Sequence, residues 1–175
     1  AKDALSNLIS GILIYIDRPF VLGDLVEIEG TYGQVDRITL RSTRVVTSDG
    51  KMLAVPNTEI INKTVVSYTN FPNLRLDIKV TVAPSENLDH VRKLLIETVS
   101  SDPSYMKEKP PRVVVSALND YNICVELQAW LMNEKTHVEK RFELREKIFD
   151  TLSKNGVEMP YQTIQLQPLD ITITK

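Results

Sequence analysis

The hydrophobic period of this sequence changes abruptly at Arg18-Pro19, and this change restricts the possible folds more than any other feature. Before it, apolar residues recur at the three- and four-residue intervals that place them on one helical face: Leu5, Leu8, Ile9, Ile12, Leu13 and Ile16. After it, apolar and polar residues alternate, as from Val26 to Glu29. Because proline disfavours helical geometry at the preceding residue, we predict a helix over 1–16 that ends ahead of Arg18.

Short alternating stretches continue to about residue 70 and predict strands. Gly30 to Gly33 predicts a turn, and Asp49-Gly50 between two apolar runs is a strong hairpin signal, for which we expect a type I′ turn. Pro56-Asn57 is expected to begin a single helical turn, followed by a strand over 64–69. Strands this short and closely spaced predict a small barrel of about five strands over 20–70.

Beyond an expected linker at 71–73, the pattern is different. Alternation over 75–82 predicts a strand, and Ser85 is expected to cap the helix that follows. The later elements are a strand at 112–118, a second strand at 122–132, a helix at 137–154 and a last strand at 163–167. Asn155-Gly156 is expected to end the helix. The apolar stripe of the second helix comprises Val138, Phe142, Ile148, Phe149 and Leu152. The order β-α-β-β-α-β is that of a ferredoxin-like sandwich, an antiparallel sheet backed by two helices.

The tail after Pro168 alternates isoleucine with threonine, although the six-element sandwich is complete without it. An additional strand needs a partner. Either this strand lies on an edge of the sheet, or it pairs with the same strand from other copies.

Composition excludes several classes of function. The chain of 175 residues has 21 basic and 23 acidic side chains, balanced in both halves, and the strands lack a base-stacking aromatic pair, so nucleic-acid binding is not expected. Its single cysteine, Cys124, excludes an internal disulfide and a multi-cysteine zinc site. His90 and His137 lie in or at the start of amphipathic helices, and we expect both to be solvated.

No pattern typical of catalysis is present. The sequence has neither a glycine-rich phosphate loop nor a metal-binding helix motif. Ferredoxin-like domains can hydrolyse acyl phosphates when a loop arginine cradles the phosphate, but the loop at 83–87 has no arginine. We therefore expect no enzymatic activity, no cofactor and no metal.

Several short motifs occur in an order that is specific in combination. The motifs are Leu5-Ser6-Asn7-Leu8-Ile9-Ser10-Gly11, Arg18-Pro19-Phe20, Gly23-Asp24, Gly33, Ser48-Asp49-Gly50-Lys51, Val55-Pro56-Asn57 and Gly156-Val157-Glu158-Met159-Pro160-Tyr161. Their sequence and spacing resemble the small-conductance mechanosensitive channel family (MscS) along nearly the whole chain. One departure is Gln162, where many members have a second proline.

The resemblance implies a domain organisation. Residues 1–19 would be the end of the pore-lining transmembrane helix, 20–70 an Sm-like β-barrel domain, 74–168 the ferredoxin-like domain, and 169–175 an axial strand. Seven copies would form a hollow cytoplasmic cage, a homo-heptamer, in which the tails make an axial barrel through Ile171, Thr172, Ile173 and Thr174.

The resemblance also implies roles for residues of the first helix and of two turns. Leu5, Leu8 and Ile9 would face neighbouring helices or the β domain, and Gly11 would allow the helix to bend. The family's turn motifs match Asp49, Gly50, Pro56 and Asn57.

The implied function is the cytoplasmic part of a tension-gated channel that passes ions and small osmolytes. The stretch from Ala4 to Ile16 would extend only about 20 Å as a helix, short of the ~30 Å hydrocarbon core, so we expect membrane helices upstream in a longer chain. The expected location is a cell inner membrane, with an organelle envelope left open. The alternative is a soluble homo-oligomeric ligand-sensing or scaffold module; an apolar run of about 20 residues immediately upstream would favour the channel.

Overall fold

The computed structural model describes residues 2–160 of the chain. These residues divide into two compact units, the first made of 2–75 with 130–140 and the second of 76–129 with 141–160. The helices are α1 (Lys2–Asp17), α2 (Asn57–Asn62), α3 (Leu88–Ser100) and α4 (His137–Lys154). The strands are β1 (Leu25–Ile28), β2 (Thr31–Ile38), β3 (Ser42–Val46), β4 (Met52–Pro56), β5 (Val65–Ser67), β6 (Arg75–Val82), β7 (Arg112–Leu118) and β8 (Ile123–Trp130).

The first unit is built on one antiparallel sheet with strand order β4-β3-β2-β1-β5. These are the five strands expected for the small barrel, but within residues 2–160 the edge strands β4 and β5 are not paired with each other, so the sheet is open. Side chains from α1, the sheet and α2 form its core: Ile14, Phe20, Val26, Ile28, Val35, Val45 and Ile60. Alternation in the strands therefore produces one buried face, as predicted.

The β3–β4 hairpin differs from the expected type I′ turn. Only Gly50 has a positive φ, of 83°, and its N–H donates to the carbonyl of Thr47 at 3.0 Å. The Thr47 N–H donates to the carbonyl of Lys51 at 2.8 Å, so the connection is a three-residue loop, 48–50, which requires only one residue in the left-handed region. The prediction of a hairpin at Asp49-Gly50 is confirmed, whereas that of its turn type is wrong.

The opposite face of the sheet carries an aromatic cluster in which His137 is buried. Its ring stacks on Tyr68, with centroids 4.8 Å apart, and its Nε2 lies 3.1 Å from the Tyr32 hydroxyl. His137 Nδ1 lies 2.8 Å from the carbonyl of Glu134, so Nδ1 carries the hydrogen. Burial, and then the nearby Tyr68, raise the pKa of Tyr32 to about 12. The expectation of a solvated His137 is therefore wrong.

The second unit contains a three-stranded sheet of order β6-β8-β7 together with α3 and most of α4. The succession β-α-β-β-α matches five of the six elements expected for the ferredoxin-like sandwich. The expected last strand at 163–167 and the tail at 169–175 lie outside the described residues. The cap of α3 is Asn87 and not Ser85, because the Asn87 side chain accepts from the N–H groups of Asp89 and His90 at 2.9 and 3.1 Å.

Helix α4 has the predicted bounds, but its buried face includes only Ile148 and Leu152 of the predicted stripe. Leu144, Ile148 and Leu152 are buried, whereas Phe142 and Phe149 are each more than half exposed. The interval of four residues from 144 to 148 and from 148 to 152 determines this face. Two aromatic side chains of α4 are thus left on the surface of the chain.

Substitution of two valines in the sheet of the first unit tests which of its faces is buried. Val35 is 1% exposed and Val66 is 46% exposed. We expect Val35→Ala to lower the free energy of unfolding by about 2–3 kcal/mol, because it leaves a cavity in the core. The matched change Val66→Ala should alter it by no more than about 0.5 kcal/mol. Urea denaturation of the two variants measures both values, and equal losses would contradict the assigned faces.

Candidate functional site at the junction of helix α1 and the β-sheet

Helix α1 packs on the rest of the first unit through a face that combines two small residues with one large apolar residue, and not through most of its predicted apolar stripe. Ser10, Gly11 and Ile14 are its buried residues. Leu5 and Ile9, which the resemblance places against neighbouring helices or the β domain, are 59% and 50% exposed in the single chain, so that placement stays a prediction. Leu8, the third of these, is half-buried. The helix therefore docks through a neighbouring face and leaves most of its apolar stripe uncovered.

Gly11 is the point of closest approach. A Cβ at this position would lie 2.7 Å from Asn57 Nδ2 and 3.0 Å from the carbonyl oxygen of Leu40. Both distances are below ordinary van der Waals contact, so only glycine fits here without displacing a neighbour. Helix α1 runs without interruption through Gly11. The structure thus supplies a packing reason for this glycine, and the bend suggested by the family resemblance stays a prediction.

Asn57 lies beneath Gly11 and is fully buried. Its Nδ2 donates to the carbonyl of Thr39 at 2.9 Å, and its Oδ1 accepts from the hydroxyl of Thr43 at 3.1 Å. Its backbone N–H donates to the carbonyl of Arg41 at 3.0 Å. Because a buried polar group without partners costs about 1–3 kcal/mol, these bonds hold the amide in one position. The sequence indicated Asn57 as a turn residue, and the structure places it in the contact between helix and sheet.

Asn7 makes the polar contact one turn earlier in α1. Its Oδ1 accepts from both the backbone N–H and the hydroxyl of Thr58, each at 3.0 Å. Thr58 is in the first turn of α2, where N–H groups have no partner within the helix. The side chain of Asn7 therefore satisfies the start of α2 while joining α1 to it. Sequence analysis identified Asn7 only as part of a family motif and missed this role.

The residues that follow α1 are hydrogen-bonded to the residues that follow β5. Arg18 has a φ of 47°, in the left-handed region, and the Asn70 amide donates to the carbonyls of Arg18 and Pro19 at 3.3 and 2.9 Å. The buried carboxylate of Asp24 accepts from the N–H of Val21 at 2.8 Å and from a hydroxyl that follows β5 at 2.9 Å. The C-terminal exit of α1 is thus bonded to the segment that follows β5.

An apolar cavity of about 790 Å³ lies beside the second half of α1. Its lining includes Ile12, Tyr15 and Arg18 of the helix end, and Val21 and Leu40 of the sheet connections. The guanidinium of Arg18 lies 5.8 Å from the centre of the Tyr15 ring. Helix α1 therefore contacts the sheet closely at its middle and leaves space beside its last turn.

The other predicted site residues lie away from this junction or outside the described residues. Asp49 and Gly50 form the exposed β3–β4 turn, where the ammonium of Lys51 at 2.7 Å and then the Thr47 hydroxyl hold the pKa of Asp49 below its usual range. Pro56 ends the edge strand β4 and precedes α2, positions that proline tolerates. The predicted axial-barrel residues, Ile171 to Thr174, lie outside 2–160.

Within residues 2–160, no group of histidine, cysteine and carboxylate side chains is arranged to hold a metal ion. Among the helices of the same part of the chain, none is long and apolar enough to span a bilayer.

Comparison with known proteins assigns both halves of the chain to one group of proteins. A family model described as the mechanosensitive ion channel β-domain matches residues 3–70. A second, described as the C-terminal part of the mechanosensitive ion channel MscS, matches residues 74–159.

Individual relatives agree with the family models. The small-conductance mechanosensitive channel of Edwardsiella ictaluri is 27% identical over 160 residues, 91% of this chain and 56% of the relative. The channel MscMJ of Methanocaldococcus jannaschii is 28% identical over 167 residues, 93% of this chain and 47% of the relative. The closed-state crystal structure of Helicobacter pylori MscS has a TM-score of 0.81 at 25% identity, over 99% of this chain and 67% of that one. The chain spans about half the length of the two channels compared by sequence.

Substitution of Gly11 tests the close contact at this junction. Alanine favours the helical conformation over glycine by about 1 kcal/mol. The Cβ of the new alanine, however, would overlap the side chain of Asn57 and a backbone carbonyl oxygen. We expect a net loss of about 1–2 kcal/mol in the free energy of unfolding and faster hydrogen exchange in α1. Ser6→Ala, on the same helix, should be neutral or slightly stabilising. A Gly11→Ala protein as stable as the Ser6→Ala control would contradict the contact.

Proposed function

The chain belongs to the MscS family of mechanosensitive ion channels, and on this premise we propose that it forms the cytoplasmic vestibule, or cage, of a tension-gated channel. In this proposal the channel releases ions and small osmolytes on hypo-osmotic shock. Transmembrane helices upstream of α1 anchor it in the cell inner membrane. The family consists of channels and not of enzymes, as the sequence led us to expect.

The observation that carries this proposal is the docking of α1 on the sheet. If α1 is the end of the pore-lining helix, its displacement under tension is resisted at Gly11, Asn57 and the Asn7–Thr58 bonds. The β-sheet then acts as a fixed base against which the helix moves.

The uncovered stripe of α1 supports the same proposal. Leu5, Ile9, Ile12, Leu13 and Ile16 are all 40% or more exposed. Contiguous apolar surface of this kind marks an interaction site. In a channel the stripe would contact membrane-embedded helices or the same helix in sister copies.

We place the chain in a ring of copies, with seven as the proposed number. A closed ring arises when one surface of each copy binds a different surface of the next. The tail with Ile171, Thr172, Ile173 and Thr174 would then pair with its counterparts around the axis, because the six-element sandwich expected from the sequence is complete without it.

Patch-clamp recording of the full-length protein, in cells that lack their own mechanosensitive channels, tests this function. We expect currents that open with membrane tension and improved survival of a hypo-osmotic shock. A protein that reaches the membrane and passes no current up to the lytic tension would refute the proposal and favour a scaffold role.

The bonds between Asn7 and Thr58 yield a prediction for gating. In this proposal the two bonds stabilise the resting position of α1, which the likeness to the closed-state Helicobacter pylori channel supports. Asn7→Ala removes both, worth about 1–3 kcal/mol per chain, and should lower the tension of half-maximal opening while the unitary conductance stays unchanged. Asn62→Ala, an exposed change on α2, is the matched control. A higher opening tension, or an equal shift in the control, would contradict the assignment.

A further inference from the structure

The β2–β3 ladder contains a bulge that places two arginines opposite each other. Val35 pairs with Val45, but the next pair is Arg37 with Arg44, so Asp36 is the additional residue. An unbroken ladder would continue with Asp36 opposite Arg44, a pair of opposite charges. The fold thus has a like-charge pair where the sequence offers a complementary one.

Part of the reason for the bulge is apolar. After it, Ile38 pairs with the buried Thr43 and packs against the core of the first unit. This explains the additional residue, but it does not require a cation at position 37. Directly opposed like charges destabilise a sheet, so the pair of arginines is a local conflict in the isolated chain.

Both arginines lie on the face of the sheet that points away from the core. The neighbours of Arg44 along β3, Thr43 and Val45, are buried, so Arg44 points to the other side. Among residues 2–160, no carboxylate pairs with Arg37 or Arg44. The next residue across from Arg44, on β4, is the uncharged Ala54.

An exposed apolar strip adjoins the two cations. Met52 is 57% exposed and pairs with Val46, one step along the same face as Ala54 and Arg44. We define the arginine patch as Arg37, Arg44, Met52 and Ala54. It combines a small apolar area with two positive charges that no carboxylate of residues 2–160 neutralises, which suits an acidic and partly apolar partner.

Helix α4 has a face of that chemistry. Positions i, i+3, i+7, i+10 and i+11 fall within one sector of a helix, and here all five are exposed: Glu139, Phe142, Glu146, Phe149 and Asp150. The three carboxylates of this acidic face form no ion pair within the described part of the chain. It lies away from the buried Leu144, Ile148 and Leu152.

We propose that the arginine patch of one copy binds the acidic face of α4 in a second copy. The carboxylates neutralise Arg37 and Arg44, and the exposed phenylalanines cover Met52 and Ala54. The contact joins two different surfaces, so repetition from copy to copy builds a ring if the rotation closes. This inference rests on the self-association in the proposed function and names the side chains that produce it.

Charge reversal in the full-length protein tests the contact. We expect Arg37→Glu with Arg44→Glu to weaken association about tenfold or more, seen by native mass spectrometry as a smaller assembled fraction at equal protein concentration. High salt should weaken the wild-type assembly in the same direction. Lys93→Glu with Lys107→Glu makes the same change in net charge at two other exposed positions and should leave the assembly intact.

A second pair of reversals decides whether the partner is α4. Adding Glu146→Arg and Asp150→Arg to the first double variant restores opposite charges and should recover most of the assembly.

An intact ring in the first double variant overturns the inference while leaving the channel proposal standing. If the quadruple variant does not reassemble, and phosphate or anionic-lipid vesicles bind the wild type but not the double variant, the inference is overturned. The arginine patch would then bind a free anion or a lipid headgroup and not α4. A monomeric wild type overturns both proposals.

Discussion

A buried amide that needs all of its hydrogen bonds determines how helix α1 meets the sheet. Asn57 is inaccessible to water, and its side chain is hydrogen-bonded to Thr39, in the connection between β2 and β3, and to Thr43 of β3. With the amide held there, the helix can approach only where it has no side chain, at Gly11. That contact brings Asn7, one turn earlier, within reach of the start of α2. One polar requirement thus fixes the position of the helix, and the proposed coupling of its movement to the sheet depends on it.

Elements with a regular hydrophobic period could be predicted from the sequence. Helix α4 has the expected bounds, and the alternation over 75–82 forms β6 as expected. Both cases depend on local periodicity, which burial of one face imposes directly. The family could also be identified, because several weak motifs in the right order are specific together, although none is specific alone.

Features that depend on tertiary contact could not be predicted. Periodicity showed that α1 is amphipathic, but the face it docks is the one with Gly11, since close packing against Asn57 outweighs apolar area. The prediction that Phe142 and Phe149 of α4 are buried was wrong. Two neighbouring faces of this helix are apolar, and periodicity alone does not determine which of them is buried. The bulge at Asp36 depends on the pairing of two strands, which no pattern within one strand reveals.

If the buried amide holds α1 on the sheet, its removal should release the helix without unfolding the rest. Hydrogen exchange measured on Asn57→Ala tests this most directly. Loss of the amide leaves the Thr43 hydroxyl without its acceptor, so we expect exchange in α1 to accelerate about tenfold or more, while α3 in the second unit keeps its protection. Unchanged protection of α1, or an equal acceleration in α3, would contradict the claim that Asn57 anchors the helix.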